Sequence, residues 1–377
     1  LKRFCSRLAE VRTAAAAHYT IPAMVAARSK QEANTHGMPY GCIAGCSATG
    51  SQPSSEASSD QPATARASSR AERASEQDPH RKLVVRYLLA GNMEQAQRQL
   101  ETTARVCRGT GNRTFYHALI HECTKAGNPR AAEWCAAKML QAGVRPNKVT
   151  FNSVIGACAK VGDVKLATVW WDKMLRFGQQ PNGITYNTMI NAYARSRDAV
   201  KAEEWIQRMM AAGFLPCIVS FSTVIDAFAK LGKVQKAEHW FTQMKAADVA
   251  PDAVIYNSLI NACAKAGQPT MAEHWWQEMD AVGLLPDAKT YNSMINACAK
   301  ARQTARAEHW FRRMENDGCQ ADKVTFGSII HASAKVGDVA RAECWMDEMI
   351  RRGLEPNLVC YNTVLHACAH GGDREGA

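Results

Sequence analysis

Asparagine recurs at a fixed distance along this chain, and its amide is the first candidate for chemistry. Residues 256–267 read YNSLINACAKAG and residues 291–302 read YNSMINACAKAR, so an Asn follows an aromatic residue twice, 35 positions apart. An amide presents a donor and an acceptor in one plane, which suits recognition of a polar edge and not bond breaking. We find no Walker loop, HExxH, CxxC or GxSxG motif, and no nucleophile paired with a base. The pattern favours a binding protein over an enzyme.

The amide belongs to a repeat of 35 residues. Sliding the sequence against itself aligns eight units without an insertion, and each unit has an aromatic residue at its fourth position. The units begin at Arg113, Lys148, Gly183, Ile218, Ala253, Ala288, Lys323 and Leu358. The aromatic residues are Tyr116, Phe151, Tyr186, Phe221, Tyr256, Tyr291, Phe326 and Tyr361. A fixed period of this size predicts a stacked array.

Each unit contains two amphipathic patterns. In the fifth unit the apolar stripe of the first helix is Tyr256, Leu259, Ile260 and Cys263, and we expect that helix from about 255 to 265. Gly267 interrupts the pattern, after which a second stripe follows: Ala272, Trp275, Trp276 and Met279. The second helix should end near Gly283, because Pro286 cannot continue it. A hairpin of this size must stack on its neighbours to bury its apolar face.

Four columns of residues resemble ligand sets but are interpreted as structural. The second helices repeat Met at one position and Trp at another. Both columns lie on the same helix face as small Ala residues, which let helices approach each other. This favours core packing over a cofactor-binding site or a surface on which bases stack. Cys123, Cys158, Cys263, Cys298 and Cys368 share a first-helix position and are interpreted as core thiols. His239, His274 and His309 have no second ligand at metal spacing, which favours a solvated helix face. We therefore predict no metal and no cofactor.

Composition separates the first 80 residues from the repeats. Residues 1–30 hold six Lys or Arg and one acid, in the style of an organelle transit peptide, although an arbitrary basic stretch would look alike. We expect 31–80 to be a disordered Ser/Ala/Gln-rich linker, 81–112 a degenerate capping repeat, and 113–377 about eight repeats, the last truncated. The formal net charge is +11, mostly on the repeats, which fits an anionic partner. The sequence contains no run of about 18 apolar residues, so it predicts no membrane-spanning helix.

Units such as VTFNSVIGACAKVGDVKLATVWWDKMLRFGQQPN resemble pentatricopeptide repeats over about 113–377. The resemblance rests on the period of 35, the V-T-Y-N opening, Lys-x-Gly at the hairpin, Ala-x-x-Trp-Phe-x-x-Met in the second helix and the closing Pro-Asp or Pro-Asn. The tetratricopeptide family, with 34 residues, does not fit. The resemblance implies an all-α fold, a right-handed superhelical α-solenoid of helix-turn-helix repeats whose first helices line a groove for single-stranded RNA, with one base per repeat.

In that family, the residue after the aromatic and the last residue of the same unit together select the base. The implied pairs are Asn152 with Asn182 for cytosine, Ser222 with Asp252 for guanine, and Asn257 with Asp287 and Asn292 with Asp322 for uracil. Four further units are less defined: Asn187 with Cys217 implies only a pyrimidine, His117 with Asn147 and Gly327 with Asn357 have no assignment, and Asn362 lacks a partner. The implied target is 5'-N-C-Y-G-U-U-N-N-3'. Asn and Ser also cap helices, which would explain an Asn at a helix start but not matched variation 30 residues later.

Two more columns gain a role from the resemblance. The second residue of most units is aliphatic and would wedge between bases: Val149, Ile184, Val219, Val254, Val324 and Val359, with Lys289 departing. A cation stands near the end of each first helix and would follow the phosphates: Lys125, Lys160, Arg195, Lys230, Lys265, Lys300 and Lys335. A cation at a helix C-terminus also complements the helix dipole, so both explanations stay open.

The sequence thus predicts a monomeric, sequence-selective single-stranded RNA-binding protein without a membrane or small-molecule partner. The resemblance implies work on organelle transcripts, in processing, stabilisation, editing or translation, in a chloroplast or mitochondrion, with the plastid favoured. Two alternatives remain. The array could guide an RNA-processing enzyme whose catalytic domain lies beyond residue 377, since the chain stops within a repeat, or it could be a protein-binding scaffold.

Overall fold

The computed structural model describes residues 79–106 and 112–371, and within them the protein is entirely helical, with 17 helices and no strand. The predicted transit-like segment at 1–30 and nearly all of the predicted linker at 31–80 lie outside the described residues. The leading hairpin is α1 (Pro79–Leu89) and α2 (Met93–Val106). The hairpins that follow are α3 (Asn112–Lys125) and α4 (Pro129–Gln141), α5 (Lys148–Val161) and α6 (Val164–Arg176), α7 (Gly183–Arg195) and α8 (Ala199–Ala211), α9 (Ile218–Lys230) and α10 (Val234–Ala246), α11 (Ala253–Ala266) and α12 (Pro269–Ala281), α13 (Ala288–Lys300) and α14 (Thr304–Asn316), and α15 (Lys323–Val336) and α16 (Val339–Arg351), before α17 (Leu358–Gly371).

Most of the first helices start at a side-chain cap. The side chain of Asp287, for example, accepts a hydrogen bond from the backbone N–H of Thr290, the third residue of α13. This bond satisfies one of the N–H groups that a helix start leaves without a partner. Because the cap precedes the apolar stripe, α11 begins at Ala253, two residues before the position predicted from the stripe.

Left-handed residues end the first helices. Gly267 has φ 70° and caps α11, as the interrupted pattern predicted, and its backbone N–H bonds to carbonyls of the last turn. Arg197 and Arg302 hold the same backbone conformation at equivalent places, with φ 64° and 59°. The turn geometry is therefore kept even where a side chain makes it less favourable.

The hairpins stack in chain order. Each first helix packs against the first helix of the next unit, and each second helix packs against its own hairpin partner and, from α4 onward, against the following first helix. This arrangement is the α-solenoid that the 35-residue period predicted. In the leading hairpin, α1 packs beside α3, although Leu89 and Met93, which continue its apolar pattern, are exposed.

Aromatic rings join the second helices across the hairpin seams. The ring centroids of Trp171 and Trp205 are 4.6 Å apart, and those of Trp276 and Trp310 are 5.2 Å apart. Edge-to-face contacts of this kind add to the free energy gained by burial. The Met column is buried throughout: Met139, Met174, Met209, Met244, Met279, Met314 and Met349. The Trp and Met columns are therefore packing residues, as interpreted from their helical phase.

Acidic residues reinforce the same seams. Glu203 on α8 accepts hydrogen bonds from Trp240 Nε1 at 3.1 Å and from Lys236 Nζ at 2.9 Å, both on α10. Glu273 is equivalent and accepts from Trp310 Nε1 at 3.2 Å. A buried indole N–H needs an acceptor, and a Glu of the preceding second helix supplies it to Trp240 and Trp310, whereas the buried Nε1 of Trp170 has no acceptor among the described residues.

The remaining columns follow the interpretation given above, with one exception. Cys123, Cys158, Cys263 and Cys298 are fully buried, and burial raises the pKa of Cys263 to about 12, so this thiol stays protonated. Cys368 is only half-buried. His239, His274 and His309 are exposed. Among the helices of the described ranges, none combines the length and apolarity needed to cross a membrane.

Candidate functional site

The first helices present one exposed face that carries three of the predicted columns. Residues at the second, fifth and thirteenth positions of a unit fall within an arc of about 80°, since each helical residue turns the chain by about 100°. On α5 these residues are Val149, Asn152 and Lys160. All six predicted wedge residues are exposed: Val149, Ile184, Val219, Val254, Val324 and Val359. These exposed aliphatic side chains, present in six of the eight units, form an apolar row on a polar face, which Lys289 interrupts.

The last residue of each unit is the N-cap of the following first helix. Asn147, Asn182, Asp252, Asp287 and Asp322 each accept a hydrogen bond from a backbone N–H of the first turn. Cys217 and Asn357 hold the same place before α9 and α17. The Asn after the aromatic is not a cap, because it is the fifth residue of the helix. The capping explanation therefore applies to the second member of each predicted pair and not to the first.

The two members of several predicted pairs touch across the hairpin seam. Asn257 Nδ2 donates to Asp287 Oδ1 at 3.3 Å, and Asn292 Nδ2 donates to Asp322 Oδ1 at 3.3 Å. Asn187 Nδ2 donates to Cys217 Sγ at 3.5 Å. A separation of 30 residues along the chain thus becomes direct contact in space.

The carboxylate of Asp322 is held as an anion by this arrangement. Burial alone would raise its pKa, but hydrogen bonds from the Thr325 backbone and hydroxyl, from Asn292 and from the Val324 backbone outweigh burial and lower it. The carboxylate therefore stays an acceptor at neutral pH, as a partner with an N–H group requires.

Two predicted pairs are joined through a third residue. Thr185 Oγ1 lies 2.8 Å from Asn152 Oδ1 and 2.9 Å from Asn182 Oδ1, so one hydroxyl serves both amides. Thr150 Oγ1 links His117 and Asn147 in the same way, at 2.7 Å and 3.1 Å. Burial and then Arg113 lower the pKa of His117, which favours the neutral imidazole.

The other predicted residues are arranged differently. Ser222 Oγ donates to the Val219 carbonyl of its own helix at 3.2 Å instead of to Asp252. Gly327 offers no side chain, and Asn362 lies exposed on α17. These positions belong to the exposed face but show no bonded pair.

A row of hydroxyls at the third position of the units is the part of the site that sequence reasoning missed. Thr290 Oγ1 donates to Asn257 Oδ1 at 2.5 Å, and Thr325 Oγ1 donates to Asn292 Oδ1 at 2.6 Å. Both threonines are fully buried. The V-T-Y-N opening contains this residue, but a buried Thr in a helix pattern gives no sign that its hydroxyl reaches the preceding unit.

The cations form a row that runs from unit to unit. Lys300 Nζ donates to the Lys265 carbonyl at 3.0 Å, and Arg195 Nη1 donates to the Lys160 carbonyl at 3.1 Å. Lys160 and Lys335 make the same bond at 3.3 Å and 3.5 Å. Each of these cations therefore lies at the negative, C-terminal end of the preceding first helix. This supports the explanation that the cations complement the helix dipoles.

The same cations also lie close enough to repel one another. Burial, then Lys265 and Lys335, lower the pKa of Lys300, and burial, then Arg195 and Lys125, lower that of Lys160. Adjacent like charges raise the local positive potential, and a bound anion would reduce the repulsion between them. Lys230 differs, since it forms an ion pair with Asp226 at 2.7 Å.

These observations define a helical-repeat protein whose first helices carry polar clusters in five units and cations in seven units along one face. Within residues 79–106 and 112–371 there is no group of three or more His, Cys, Asp or Glu placed to hold a metal.

Two sequence models agree with this class. A model described as the PPR repeat family matches residues 146–195, 251–300, 286–335 and 322–370. A model described as the pentatricopeptide repeat domain matches 112–161, 171–231 and 207–266. Together they extend over 112–370, well over half of the chain, and the chain belongs to the pentatricopeptide repeat family.

Solved structures show the same fold. The pentatricopeptide repeat protein PPR10 from maize matches with a TM-score of 0.53 at 23% identity, over 75% of this chain and 45% of that chain. PPR10 in complex with an 18-nt psaJ RNA element matches with a TM-score of 0.52 at 24% identity, over 73% of this chain and 45% of that chain. This chain spans less than half the length of PPR10. No curated protein sequence matches it.

Proposed function

We propose that this protein binds single-stranded RNA sequence-selectively, with one base contacted by each unit. The observation that carries the proposal is the polar pair repeated across the seams, with Asn257 bonded to Asp287 and Asn292 bonded to Asp322. On the same helix face, Asn257 is accompanied by the exposed Val254 and by Lys265, whereas Asn292 is accompanied by Lys289 and Lys300. The structure of PPR10 with an RNA element supports the same class of ligand.

The chemistry of the pairs matches base edges. The Asn257 amide keeps a second N–H and the Asp287 carboxylate a second oxygen, which together offer a donor and an acceptor to the O4 and N3–H of uracil. An Asn in place of the Asp, as in Asn152 with Asn182, removes the fixed acceptor and suits cytosine. Asp252 beside Ser222 offers an acceptor to the N1–H and amino group of guanine. The proposed target remains 5'-N-C-Y-G-U-U-N-N-3'.

The aliphatic and basic rows supply contacts that do not depend on sequence. Exposed residues such as Val149 and Val324 would pack between successive bases, and the row from Lys125 to Lys335 would follow the phosphates. Binding of this kind can protect or remodel a transcript without chemistry by the array. We infer a monomer that acts on organelle transcripts, in processing, stabilisation, editing or translation, in a plastid or a mitochondrion.

Selection of RNAs from a random pool tests the proposal. We expect the purified protein to enrich a C-Y-G-U-U core, because four of its five positions face defined pairs. Dissociation constants for the enriched RNA and for a scrambled RNA of the same composition provide the control. Enrichment of double-stranded RNA, or equal affinity for the two RNAs, would contradict the proposal.

A further inference from the structure

We propose that the third residue of each unit orients the base-reading side chain of the preceding unit and thereby contributes to base selectivity. This inference rests on the proposed RNA-binding function and concerns a residue outside the predicted pairs. The third residues of the units from the second onward are Thr150, Thr185, Ser220, Ile255, Thr290, Thr325 and Cys360.

The hydroxyl contacts are specific and repeated. Thr185, Ser220, Thr290 and Thr325 each place a hydroxyl 2.5 to 2.8 Å from the Oδ1 atom of the Asn in the preceding unit. Thr150 makes the corresponding contact with His117. All five residues are buried, with at most 1% of their surface exposed, so solvent cannot replace the hydroxyl.

The third residue changes together with the residue it faces. Where the base-reading residue is Asn or His, the next unit has Thr or Ser. Where it is Ser222, the next unit has Ile255, and where it is Gly327, the next unit has Cys360. A Cβ on Gly327 would lie 4.0 Å from Cys360 Sγ, so these two positions are also neighbours. The hydroxyl is therefore present where a long polar side chain needs orienting and absent where there is none.

The contact determines which amide atom is left for a ligand. Thr290 occupies Asn257 Oδ1, and Asp287 accepts from Asn257 Nδ2, so the remaining N–H of Nδ2 is the group available to a base. A reversed amide would place its oxygen against the Asp287 carboxylate, which is repulsive. Without the hydroxyl, Asn257 Oδ1 would face an apolar side chain and lose the donor that reaches it across the seam, and the amide would no longer be held in one orientation.

Capping alone does not require this hydroxyl. Thr290 Oγ1 also accepts from the Asp287 backbone N–H at 3.1 Å, which makes a capping box. However, α11 starts in the same way with Ile255 at this position, because the Asp252 side chain still accepts from the Ile255 backbone N–H at 3.0 Å. The chain therefore provides its own demonstration that Ile is tolerated here.

Reciprocal variants test the inference. Ser222→Asn alone should weaken the preference for G at the fourth nucleotide but gain little for U, because its amide oxygen would face Ile255. Adding Ile255→Thr should raise the U-to-G affinity ratio about fivefold over Ser222→Asn alone, the factor of one hydrogen bond. Ile255→Thr by itself should keep the G preference. Equal ratios for the single and double variants would overturn the inference.

Thr290→Ile provides the opposite change. We expect the U preference at the fifth nucleotide to fall about fivefold, with preferences at other nucleotides unchanged, while Thr290→Ser retains it. Circular dichroism confirms that each variant is folded. An equal loss of affinity for every RNA would show a merely structural role and overturn the inference. A wild-type protein without base preference would reject the proposed function, whereas a selective wild type with an equally selective Thr290→Ile rejects the inference alone.

Discussion

The last residue of a unit can make two kinds of contact: it caps the helix that follows, and it bonds to the base-reading residue of a predicted pair. Asp322 caps α15, the first helix of the next unit, through the backbone N–H groups of Val324 and Thr325, and it accepts from Asn292 in its own unit. Asp and Asn are comparable caps, as Asn147 and Asn182 illustrate. The cap therefore allows the residue to change between Asp and Asn without penalty to the helix, which leaves its identity free to vary with the proposed base.

Asp322→Asn should separate these two tasks. We expect the free energy of unfolding to change by less than about 0.5 kcal/mol, since Asn also caps, and the preference at the sixth nucleotide to move from U toward C. Chemical denaturation and binding to two RNAs that differ at that nucleotide measure the two effects. Asp322→Ala is the control, because it removes the cap and should cost about 1 kcal/mol. An unchanged U preference in Asp322→Asn would contradict the assignment.

At the level of single residues, the sequence predicted some contacts of the site and missed others. The pairing of Asn257 with Asp287 was expected because both positions recur and because the family resemblance supplied the link. The hydroxyl of Thr290 was not expected, because a helical pattern treats a buried Thr as a small core residue and says nothing about the direction of its hydroxyl. Contacts between units depend on how the helices are placed, and periodicity does not encode that placement.

Second helices carry much of the stacking free energy through large side chains. Glu203 is 8% exposed and bonds to the buried Trp240 and to Lys236 of the next second helix. The aromatic column was predicted as core from its phase alone. Its acidic partners were not, because Glu on a helix surface usually indicates solvent.

Glu203→Ala should therefore destabilise one seam. The variant leaves the Trp240 indole N–H without its acceptor, which costs about 1 to 3 kcal/mol. Glu203→Gln retains an acceptor and should lose less. Glu204→Ala on the same helix is the matched control, since Glu204 is exposed and its loss should change stability by less than about 0.5 kcal/mol. Denaturation of the three variants provides the comparison, and equal effects of Glu203→Ala and Glu204→Ala would contradict the role of the bond.

Across the whole array, the basic row determines how binding should respond to salt. If about five to seven phosphates are neutralised, the slope of log affinity against log salt concentration should be roughly −3.5 to −5. A protein-binding scaffold would show little dependence. The alignment of seven cations was predictable from the period, whereas their bonds to the carbonyls of neighbouring helices required the structure.

Lys300→Gln tests the row at one position. The slope should become shallower by about 0.7, the contribution of one phosphate on a single strand, and affinity should fall similarly for all RNA sequences. Lys165→Gln, at an exposed position on the second helix α6, should leave the slope unchanged. Titrations at several salt concentrations measure both. Equal salt-dependence slopes for Lys300→Gln and the wild type would show that Lys300 does not contact a phosphate.

The polar clusters determine where a repeat unit should be cut when it is transferred from this array to another. The cluster around Asn257 uses Asp287, the last residue of the same unit, and Thr290, which belongs to the following hairpin. A cassette cut at the sequence repeat, 253–287, would transfer the amide and the carboxylate but take its orienting hydroxyl from whatever recipient it enters. A graft that runs from 257 to 290 carries all three groups, and transplanted specificity should survive better with that boundary.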